Sequence, residues 1–531
     1  MWKVLASDGL DEAGAALLRG EEGIECEVAS GMSPEDLLKV IPNYHALIVR
    51  SPTKVTEKVL DTARHLKIVV RAGIGLDNID IDAATKRGIV VANSPSGNVV
   101  TTAEHTLSLL MALARRIPQA DTSVKTEKWD REKFVGTELY QKVLGVIGFG
   151  KVGSVVAKLA QGLSMHVMAY DPFISKSVAV MHGVELVSLE AIFKRADFIT
   201  LHVPLSDTTR HMIGKAQMAQ MKRGVFIINC ARGGLIDEKA LCSAIVSGHV
   251  AGAALDVFEK EPPKGSPLLQ LDSVVCTPHL GASTEEAQAR VAVDSAQQVI
   301  DFLKLGVVRN AINMPSITGE LLQMLRPYIQ LAEQMGKFQV QICEKGAQEI
   351  ALQYFGELTH YDTKLITAAF LKGFLSQIID DRMVNFVNAS RLGEERGLRI
   401  VEQVSNAPVD FASLIKTVVS ANGAGGERHE VSGTIFGKED LRIVYVDGYR
   451  LEAHPFGQIL FLKNYDRPKV IGNIGMILGD AGINISRMQL GLEANSKEAL
   501  ALINIDSPAP EEILGKLRTH PDIISVRQLK L

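Results

Sequence analysis

The chain has 531 residues, more than one hydrophobic core usually organises, so several domains are expected. Its 22% charged and 46% hydrophobic residues, with a net charge of -4, are typical of a soluble globular protein and argue against a nucleic-acid-binding surface. No apolar run reaches the roughly 18 residues that span a bilayer, and no export signal is expected. The five cysteines form no Cys-x-x-Cys pair, which argues against a disulfide framework or a zinc site and indicates a reducing cytoplasm.

The N-terminal part of the chain alternates short β-branched runs with helical segments. The runs are KVLAS, ALIVRS, KIVVRAG and IVVANS, and each has the length and apolar character of a buried parallel strand. A small α/β domain is therefore predicted. The pattern TTAEHTLSLLMALARRIPQA then predicts one long helix from Thr101 to near Pro118.

A second set of strand-like runs follows. The runs are VLGVIG, MHVMAYDP, DFITLHVPL, GVFIINCAR, AGAALDVF and SVVCTPHLG, again separated by helical segments, which predicts a second doubly wound sheet. The helix TEEAQARVAVDSAQQVIDFLKLG comes next and is expected to return to the first domain. The second domain, 98–286, is thus predicted to be inserted into a discontinuous first domain, 1–97 and 287–313.

The alternation of strands and helices ends near residue 314, and two further domains are predicted. From 314 to 453, helices precede the hairpin-joined strands of SLIKTVVSANGAGGERHEVSGTIF and LRIVYVDGYRLEAHP, which indicates an α+β domain. From 454 to 531 the order of elements is βαββαβ, that of a ferredoxin-like sandwich. The predicted fold class is therefore α/β, with two doubly wound Rossmann-like domains followed by an α+β domain and the ferredoxin-like domain.

The segment VIGFGKVG carries a dinucleotide-binding fingerprint between a strand and a helix. Gly148 permits the tight turn, Gly150 lets the backbone approach a pyrophosphate, and Gly153 lets the helix pack on the strand. The next strand ends at Asp171, 18 residues after Gly153, where a carboxylate can accept the ribose hydroxyls and repel a 2′-phosphate. These features predict NAD rather than NADP. The later run GNIGMILGDAG lacks this order, and its glycines are attributed to close packing or to a small-ligand site.

Three polar residues stand at the carboxyl ends of strands in the second domain, where ligands bind in such sheets. His279 can take the hydroxyl proton of an alcohol, because imidazole titrates near neutral pH. Glu261 can stabilise the protonated imidazole, and Arg232 presents a planar fork that can hold a substrate carboxylate. Each alone is more often a surface residue or a satisfied hydrogen-bonding residue, but their coincidence with a nucleotide-binding fold favours a catalytic role.

VIGFGKVG, NCARGGLID, AALDVFEKEPP and TPHLGAST together resemble the signatures of the D-isomer-specific 2-hydroxyacid dehydrogenases. With IVRSPTKVT and VVRAGIGLDNID, the whole chain is similar to the long form of the D-3-phosphoglycerate dehydrogenase family. The resemblance implies NAD-dependent oxidation of D-3-phosphoglycerate to 3-phosphohydroxypyruvate, the entry step of serine biosynthesis. It also implies that 1–97 with 287–313 binds substrate, that 98–286 binds NAD, and that an intervening and an ACT regulatory domain occupy 314–453 and 454–531.

The resemblance further implies which residues lie at the active site. His279, Glu261 and Arg232 are the catalytic set. The family's cofactor contacts correspond to Gly148, Gly150, Lys151, Val152, Gly153, Asp171, Cys230, Arg232, Asp256, His279, Gly281 and Ala282. Ile74 and Val203 stand where the family often has threonine, so a side-chain hydroxyl is missing at each point.

A phosphorylated substrate is a dianion, so the cleft that binds it needs several cations. Arg50 and Arg71 each end an N-terminal strand and are the candidates, the alternative being surface ion pairs. Asn98 resembles a family substrate contact. The segment WDREKF, with Arg131 and Lys133, resembles a loop that reaches the active site of a neighbouring subunit.

The run NYDRPKVIGNIGMILGDAGINISRMQL resembles the ACT signature, in which an amino-acid pocket forms at an interface between domains. Asp466 and Asn484 match the positions that hold the effector in family members inhibited by L-serine. Lys469 replaces the usual glycine, and it either crowds the pocket or pairs with the effector carboxylate. The resemblance thus implies feedback inhibition by L-serine, and the alternative is a dimerising module that binds no effector.

Two other functions remain open from the sequence. The chain could oxidise an unphosphorylated 2-hydroxy acid, or it could be an NAD-sensing corepressor, since one branch of the superfamily acts by binding other proteins. The long regulatory tail and the absence of basic or low-complexity segments disfavour the corepressor. The expected partners are a small-molecule substrate and further copies of the chain, as a dimer or homotetramer in the cytoplasm, with no nucleic acid, membrane or metal.

Overall fold

The structure is a computed structural model that describes residues 1–315, 319–343, 346–379, 384–421, 427–492 and 497–531. In this part of the chain the strands form four sheets, of five, seven, six and four strands. The first two sheets are parallel throughout, the third is mixed and the fourth is antiparallel. The predicted fold class is confirmed. None of the described helices is long and apolar enough to cross a bilayer.

The first sheet is the small α/β unit predicted at the N-terminus. Its elements are β1 (Trp2–Ala6), α1 (Glu12–Arg19), β2 (Ile24–Val28), α2 (Pro34–Val40), β3 (Ala46–Val49), α3 (Glu57–Thr62), β4 (Ile68–Arg71), α4 (Ile81–Lys86) and β5 (Val90–Asn93). The strand order is β2-β1-β3-β4-β5, a doubly wound arrangement with helices on both faces. β3 and β5 are buried at every residue, as a parallel strand covered on both faces must be. β2, which the sequence did not predict, is an edge strand whose residues alternate in burial.

The long helix predicted up to Pro118 is two helices, α5 (Val99–Ala114) and α6 (Ile117–Lys125). Arg116 takes a left-handed conformation with φ of 52°, which ends the first helix and turns the chain. Pro118 lies in the first turn of α6, where its missing N–H costs nothing. The proline therefore begins a helix here instead of ending one.

The second sheet carries the glycine loop. Its elements are β6 (Val143–Ile147), α7 (Lys151–Gly162), β7 (His166–Tyr170), α8 (Lys176–Met181), β8 (Glu185–Leu186), α9 (Leu189–Arg195), β9 (Phe198–Leu201), α10 (Lys215–Met218), β10 (Val225–Asn229), α11 (Glu238–Val246), β11 (Val250–Leu255) and β12 (Val274–Cys276). The order β12-β11-β10-β9-β6-β7-β8 reverses direction between β9 and β6. Such a switch point opens a crevice at the carboxyl ends of the strands.

Helix α12 (Glu285–Leu305) leaves the second sheet and packs against the first. Gly14 of α1 lies so close to it that an added Cβ would be 2.6 Å from the backbone of Ala292. Gln298 donates its side-chain amide to the carbonyl of Asn93 at 2.9 Å. The chain thus returns to the first sheet as predicted, and the exact domain boundaries stay a prediction. We call the first sheet with its helices and α12 the first lobe, and the second sheet with α5 to α11 the second lobe.

The third sheet forms the predicted α+β unit. Its elements are α13 (Gly319–Ile342), β13 (Glu349–Gly356), α14 (Lys364–Leu375), α15 (Ala389–Glu395), β14 (Arg399–Ser405), β15 (Ser413–Ser420), β16 (Arg428–Phe436), β17 (Asp440–Val446) and β18 (Tyr449–Ala453). The predicted hairpin pairings of β15 with β16 and of β17 with β18 are confirmed, and β16 also pairs with β17; the turn predicted within 422–426 lies outside the described residues. This unit touches the first lobe where Asn385 donates to the carbonyl of Gly88 at 2.8 Å.

The fourth sheet is the predicted βαββαβ sandwich. Its elements are β19 (Gln458–Tyr465), α16 (Val470–Asp480), β20 (Ile485–Leu492), β21 (Glu498–Ile505), α17 (Glu511–Arg518) and β22 (Ile523–Lys530). The strand order β20-β21-β19-β22 is antiparallel throughout, which is the ferredoxin-like topology. Glu493, the last residue of the strand predicted at INISRMQLGLE, lies outside the described residues.

Candidate active site

The glycine loop between β6 and α7 has the geometry that its sequence predicts. Gly148 has φ of 93°, and a Cβ there would lie 2.5 Å from the carbonyl oxygen of His202. Gly153 packs so tightly that a Cβ would lie 2.1 Å from the carbonyl oxygen of Gly148. Around Gly150 nothing lies within 4 Å of a Cβ position, so the start of α7 is open to a ligand. The loop can therefore present the N–H groups of a helix N-terminus to a pyrophosphate.

Asp171 stands at the end of β7, beside this loop. Its carboxylate accepts the backbone N–H of Phe149 at 2.9 Å and that of Phe173 at 2.8 Å. These bonds hold the acidic group next to the glycine loop and leave lone pairs for ribose hydroxyls. The start of α7 would hold the pyrophosphate of NAD, and Asp171 would accept hydrogen bonds from a ribose.

The remaining residues predicted along the cofactor divide into exposed and buried ones. Lys151 is exposed at the start of α7, with Nζ 3.5 Å from Ser96 Oγ, and Val152 packs partly against the core of the second lobe. Cys230 is 6% exposed, and burial raises the pKa of its thiol to about 12. Cys230 is therefore a neutral thiol that contributes shape, not charge.

Asp256, at the end of β11, is fully buried, and its carboxylate accepts four hydrogen bonds from protein groups. The donors are Thr277 Oγ1 at 2.6 Å, Leu280 N at 2.7 Å, Gly281 N at 2.8 Å and His105 Nε2 at 3.1 Å. Burial alone would raise the pKa of Asp256, but the hydrogen bonds from His105, Thr277 and Leu280 outweigh it and hold the pKa below the usual range. The ionised carboxylate thereby organises the loop that contains His279 and Gly281.

The structure brings together His279 and Glu261, for which the sequence predicts the roles of base and supporting acid. His279 Nδ1 lies 2.8 Å from Glu261 Oε2, and Glu261 also accepts the backbone N–H of Phe258 at 3.2 Å. Burial would raise the pKa of Glu261, but the hydrogen bond and charge of His279 lower it below its usual range. With Nδ1–H bonded to a carboxylate, a neutral His279 presents Nε2 as a proton acceptor. His279 itself has φ of 58°, a left-handed conformation uncommon outside glycine.

Arg232 follows β10 and packs beside the same segment. Its neighbour Gly233 approaches Phe258 so closely that a Cβ would lie 1.8 Å from the Phe258 carbonyl oxygen. Arg232 Nε donates to Asp77 Oδ2 of the first lobe at 2.8 Å, and Nη1 donates to the carbonyl of Ala231 at 2.6 Å. Nη2 lies against Gly75, where a Cβ would be only 1.8 Å away. The guanidinium is thus fixed in the cleft between the lobes.

Arg50 and Arg71 are brought to the same cleft from the first lobe. Arg71 Nη2 donates to Ser51 Oγ at 2.7 Å, and Nη1 fills the space over Gly73. Burial, together with the positive charges of Arg232 and Arg50, lowers the pKa of Arg71 to about 10. Arg50 is fixed through its backbone N–H, which Asp8 accepts at 2.7 Å. Arg50 also lines a small cavity together with Gly73 and with Ala282, the last cofactor-site residue of the prediction.

The other predicted substrate residues lie apart from this cluster or at its edge. Asn98 is 8% exposed at the start of α5, and its Oδ1 accepts no hydrogen bond from the described residues. Arg131 and Lys133 are exposed, and Lys133 forms an ion pair with Asp130 at 2.8 Å. Within one chain the structure does not bring Arg131 or Lys133 to the His279–Glu261 pair, which is what a loop serving a neighbouring subunit requires.

The predicted effector residues lie at opposite ends of the fourth sheet. Asp466 directly follows β19, whose last residue pairs with Glu498 at the start of β21. Asn484 directly precedes β20, whose first residue pairs with Ile505 at the end of β21. One chain therefore does not bring the two side chains together. Lys469 has φ of 75°, a conformation that favours glycine, which explains why a glycine is usual at this position.

The glycines of GNIGMILGDAG do not pack closely within the chain. A Cβ added at Gly472, Gly475 or Gly479 would meet nothing within 4 Å. Close packing inside one copy, one of the two interpretations drawn from the sequence, is therefore wrong for these three. They leave one face of α16 open.

Sequence reasoning missed three residues of the site: Asp77, Thr102 and His105. Asp77 lies in VVRAGIGLDNID, but nothing in the sequence indicates that it meets Arg232. Thr102 Oγ1 donates to the carbonyl of Gly281 at 2.9 Å, and His105 reaches Asp256. Both were assigned only to a helix, because their partners lie more than 150 residues away in the chain, at separations of 179 and 151.

Comparison with known proteins agrees with this geometry. Residues 107–281 match the family model of the D-isomer specific 2-hydroxyacid dehydrogenase NAD binding domain, and residues 324–447 match that of the D-3-phosphoglycerate dehydrogenase intervening domain. The D-3-phosphoglycerate dehydrogenase of Methanocaldococcus jannaschii is 44% identical over 532 residues, covering 100% of both chains. That of Bacillus subtilis is 40% identical over 531 residues, again covering 100% of both.

Solved structures resemble the lobes. A D-lactate dehydrogenase from Aquifex aeolicus, complexed with NAD and lactic acid, aligns with a TM-score of 0.54 at 28% identity over 59% of this chain and 100% of its own. The TT0316 protein from Thermus thermophilus aligns with a TM-score of 0.55 at 33% identity over 58% of this chain and 99% of its own.

Proposed function

The chain belongs to the D-3-phosphoglycerate dehydrogenase family of NAD-dependent oxidoreductases, and we propose that it oxidises D-3-phosphoglycerate to 3-phosphohydroxypyruvate. The family resemblance of the sequence implies that this reaction is the entry step of serine biosynthesis. One observation carries the proposal: Arg50, Arg71 and Arg232 approach each other in the cleft next to the His279–Glu261 pair. Three guanidinium groups in one cleft suit a substrate with both a phosphate and a carboxylate.

The residues of the chain divide the work of binding. Arg232, held through Nε and Nη1, directs Nη2 into the cleft to bind the substrate carboxylate. Arg71 and Arg50, whose charges already repel each other, gain a counter-ion when the phosphate binds. Arg71 remains protonated at neutral pH, because its lowered pKa is about 10.

The proton of the substrate hydroxyl is taken by His279 Nε2. Glu261 holds the imidazole through Nδ1 at 2.8 Å and stabilises the imidazolium that forms. NAD, which the glycine loop and Asp171 would hold, would supply the oxidant that accepts the two electrons of the C–H bond as a hydride. The segment that carries Arg232 lies next to the segment that carries Glu261, because Gly233 and Phe258 are in close contact. The second lobe therefore places the arginine that binds the substrate carboxylate near the base and its supporting acid.

The test is formation of NADH with D-3-phosphoglycerate compared with D-lactate, D-glycerate and D-2-hydroxyglutarate. We expect kcat/KM for the phosphorylated substrate to exceed the others by about a hundredfold or more, because substrates that lack the phosphate leave the cations of the first lobe without a counter-ion in the cleft. Preference for an unphosphorylated acid would replace the proposal by the second function, and turnover of none of the four would favour a binding protein.

We propose that L-serine inhibits the enzyme through the ACT domain, at a site shared by two copies. Asp466 and Asn484 stand at opposite ends of β21, so a pocket that contains both needs Asp466 from one copy and Asn484 from another. The open glycine face of α16 supports such pairing.

Millimolar serine should lower the rate of the wild type and leave the rate of Asp466→Ala unchanged. The control is Asp480→Ala, since Asp480 is exposed at the end of α16, and serine should inhibit this variant like the wild type. Undiminished turnover and no bound serine in calorimetry would reject an effector role.

We also propose that the chain assembles as a homodimer or homotetramer in the cytoplasm. Large apolar side chains are exposed along α5, α6 and the following loop: Met111, Ile117, Val124, Trp129, Val135 and Tyr140. Trp129 and Val135 are each 76% exposed, and they flank Arg131 and Lys133, so burial of this face would carry both cations toward a neighbouring copy. Light scattering of the purified protein measures the number of subunits, and a monomer would contradict the proposal.

A further inference from the structure

Helix α5 of the second lobe reaches the loop that carries His279 through two side chains one turn apart. Thr102 and His105 lie three positions apart, on one face of the helix. Thr102 Oγ1 donates to the carbonyl of Gly281 at 2.9 Å. His105 Nε2 lies 3.1 Å from Asp256 Oδ1 and 3.2 Å from Thr277 Oγ1.

The polarity of these bonds follows from the chemistry of the groups. Asp256 is ionised, as its lowered pKa indicates, so its oxygens only accept. Thr277 Oγ1 donates its single proton to Asp256 Oδ1 at 2.6 Å, so its lone pairs are left to accept a hydrogen bond from His105. His105 Nε2 therefore carries a proton and donates it toward both partners. The same carboxylate accepts the N–H groups of Leu280 and Gly281.

This network surrounds a strained segment. His279 has φ of 58°, and a non-glycine residue keeps such a sparsely populated conformation only where the surrounding structure imposes it. The backbone N–H of His279 donates to the carbonyl of Asp256 at 2.9 Å, so the segment is tied to β11 on one side. Thr102 and His105 tie it to α5 on the other side.

We propose that His105 and Thr102 are positioning residues that hold the 279–281 loop in its catalytic conformation, His105 through Asp256 and Thr102 through Gly281. The proposal rests on the proposed function, because it assigns the loop the base of that reaction. Neither side chain is expected to touch substrate. A shift of the loop by about 1 Å would misalign the imidazole and cost about a hundredfold in rate.

The contacts also allow a simpler role, in which they only stabilise the second lobe. The two roles differ in what a conservative replacement restores. His105→Gln keeps a side-chain N–H donor where His105→Ala removes it, and Thr102→Ser keeps the hydroxyl that Thr102→Val removes. Ser108→Ala is the matched control, since Ser108 lies on the same helix and loses only an exposed bond to the carbonyl of Glu104, 2.8 Å long.

The experiment measures kcat and KM with D-3-phosphoglycerate, the NADH dissociation constant by fluorescence, and the thermal midpoint of the full-length protein. We expect His105→Ala and Thr102→Val to lower kcat by about 10- to 100-fold, to change KM for D-3-phosphoglycerate little, and to weaken NADH binding by about threefold to tenfold. His105→Gln and Thr102→Ser should recover most of both values, and Ser108→Ala should match the wild type.

Several results would overturn the proposal. Wild-type kcat and NADH affinity in His105→Ala would do so, even if its thermal midpoint were lowered. Equal losses of kcat and of NADH affinity in His105→Ala and His105→Gln would also do so. If His105→Ala does not fold, the Thr102→Val and Thr102→Ser pair makes the same comparison through Gly281. If the wild type forms no NADH from D-3-phosphoglycerate, the proposed function fails, and the NADH dissociation constants of these variants still decide the positioning role.

Discussion

Asp77 of the first lobe accepts a hydrogen bond from Arg232 Nε of the second lobe at 2.8 Å, although 155 residues separate them in the chain. The pair crosses the cleft. It also occupies one edge of the guanidinium, so that Nη2 is the group left beside Gly75. Asp77 thereby gives Arg232 both its orientation and a counter-charge next to the cations of the first lobe.

Replacing Asp77 by asparagine should weaken substrate binding. Asp77→Asn keeps the shape but removes the charge that orients Arg232, and we expect KM for D-3-phosphoglycerate to rise by about threefold to tenfold because the pair is partly exposed. NADH affinity should stay at the wild-type value. Asp61→Asn, which breaks an exposed pair with Arg87 in the same lobe, is the control. An unchanged KM for Asp77→Asn would show that Arg232 is held by Ala231 alone.

Removing the base should abolish turnover without releasing the cofactor. His279→Ala is expected to lower kcat by about 10² to 10⁴, the usual contribution of a general base, while NADH still binds. His211→Ala is the matched control, because His211 and Glu259 form a pair 3.0 Å long with the same side-chain exposures, 43% and 40%, as His279 and Glu261. Comparable losses in both variants would contradict a specific role for His279.

Arg71 should discriminate phosphorylated from unphosphorylated substrates. Arg71→Gln is expected to raise KM for D-3-phosphoglycerate by about 10- to 100-fold, the worth of a hydrogen bond to a charged group. Any slow turnover of D-glycerate should be little affected, and Arg71→Lys should restore binding only in part because lysine lacks the planar fork. Arg64→Gln, an exposed arginine of the same lobe, controls for net charge. Equal losses with both substrates would place Arg71 away from the phosphate.

Lys469 should be a site where glycine stabilises the C-terminal βαββαβ sandwich. The residue has φ of 75°, and a left-handed conformation costs a non-glycine residue about 1 kcal/mol. Lys469→Gly is therefore expected to raise the free energy of unfolding by about 0.5–1 kcal/mol, measured by urea denaturation of the full-length protein. Lys469→Ala retains the strain and serves as the control. A glycine variant no more stable than the alanine variant would contradict the prediction.

His429 should make the α+β domain more stable at mildly acidic than at alkaline pH. Its Nδ1 lies 2.7 Å from Asp447 Oδ2 and its Nε2 lies 2.8 Å from Glu427 Oε1. The hydrogen bond to Asp447 raises the pKa of His429, burial opposes this, and the bond to Glu427 adds to the rise. A histidine whose pKa is raised in the folded state contributes its full stabilisation below the unfolded-state pKa of about 6.5. That stabilisation is lost as the pH rises through the folded-state pKa.

The thermal midpoint of the wild type should therefore exceed that of His429→Gln most at about pH 6 and least above about pH 8.5. His360→Gln, which replaces an exposed histidine of the same domain, should show no such pH-dependent difference. A difference in thermal midpoint between the wild type and His429→Gln that stays constant over this pH range would contradict the prediction. It would mean that Asp447 and Glu427 do not stabilise the protonated form of His429.

Much of the fold could be predicted because its signals are local. The parallel strands are short, uniformly apolar runs. The glycine loop is recognisable from four positions: a left-handed turn at Gly148, an open helix start at Gly150, a close contact at Gly153 and the carboxylate of Asp171. Two of the missed strands, β13 and β14, lie where the sequence was assigned to helices. The other two lack the apolar signal. β2 alternates in burial at a sheet edge, and β8 has two residues. The break between α5 and α6 depends on one left-handed arginine, which no apolar pattern reveals.

The catalytic pair could be proposed from the sequence, since His279 and Glu261 both follow strands of one parallel sheet. Their supporting residues could not. Asp77, Thr102 and His105 meet their partners only after the lobes have folded and α5 has packed on the second sheet. A threonine and a histidine in a helix carry no sign of the loop that they will contact more than a hundred residues later.

The placement of Asp466 and Asn484 at opposite ends of β21 has a genetic consequence. Two paired ACT domains would form two composite pockets, each drawing one residue from each chain. In a hybrid of an Asp466→Ala chain with an Asn484→Ala chain, one pocket would carry both defects and the other none. Co-expression of the two inactive alleles would then return a response to serine that neither shows alone, which is intersubunit complementation.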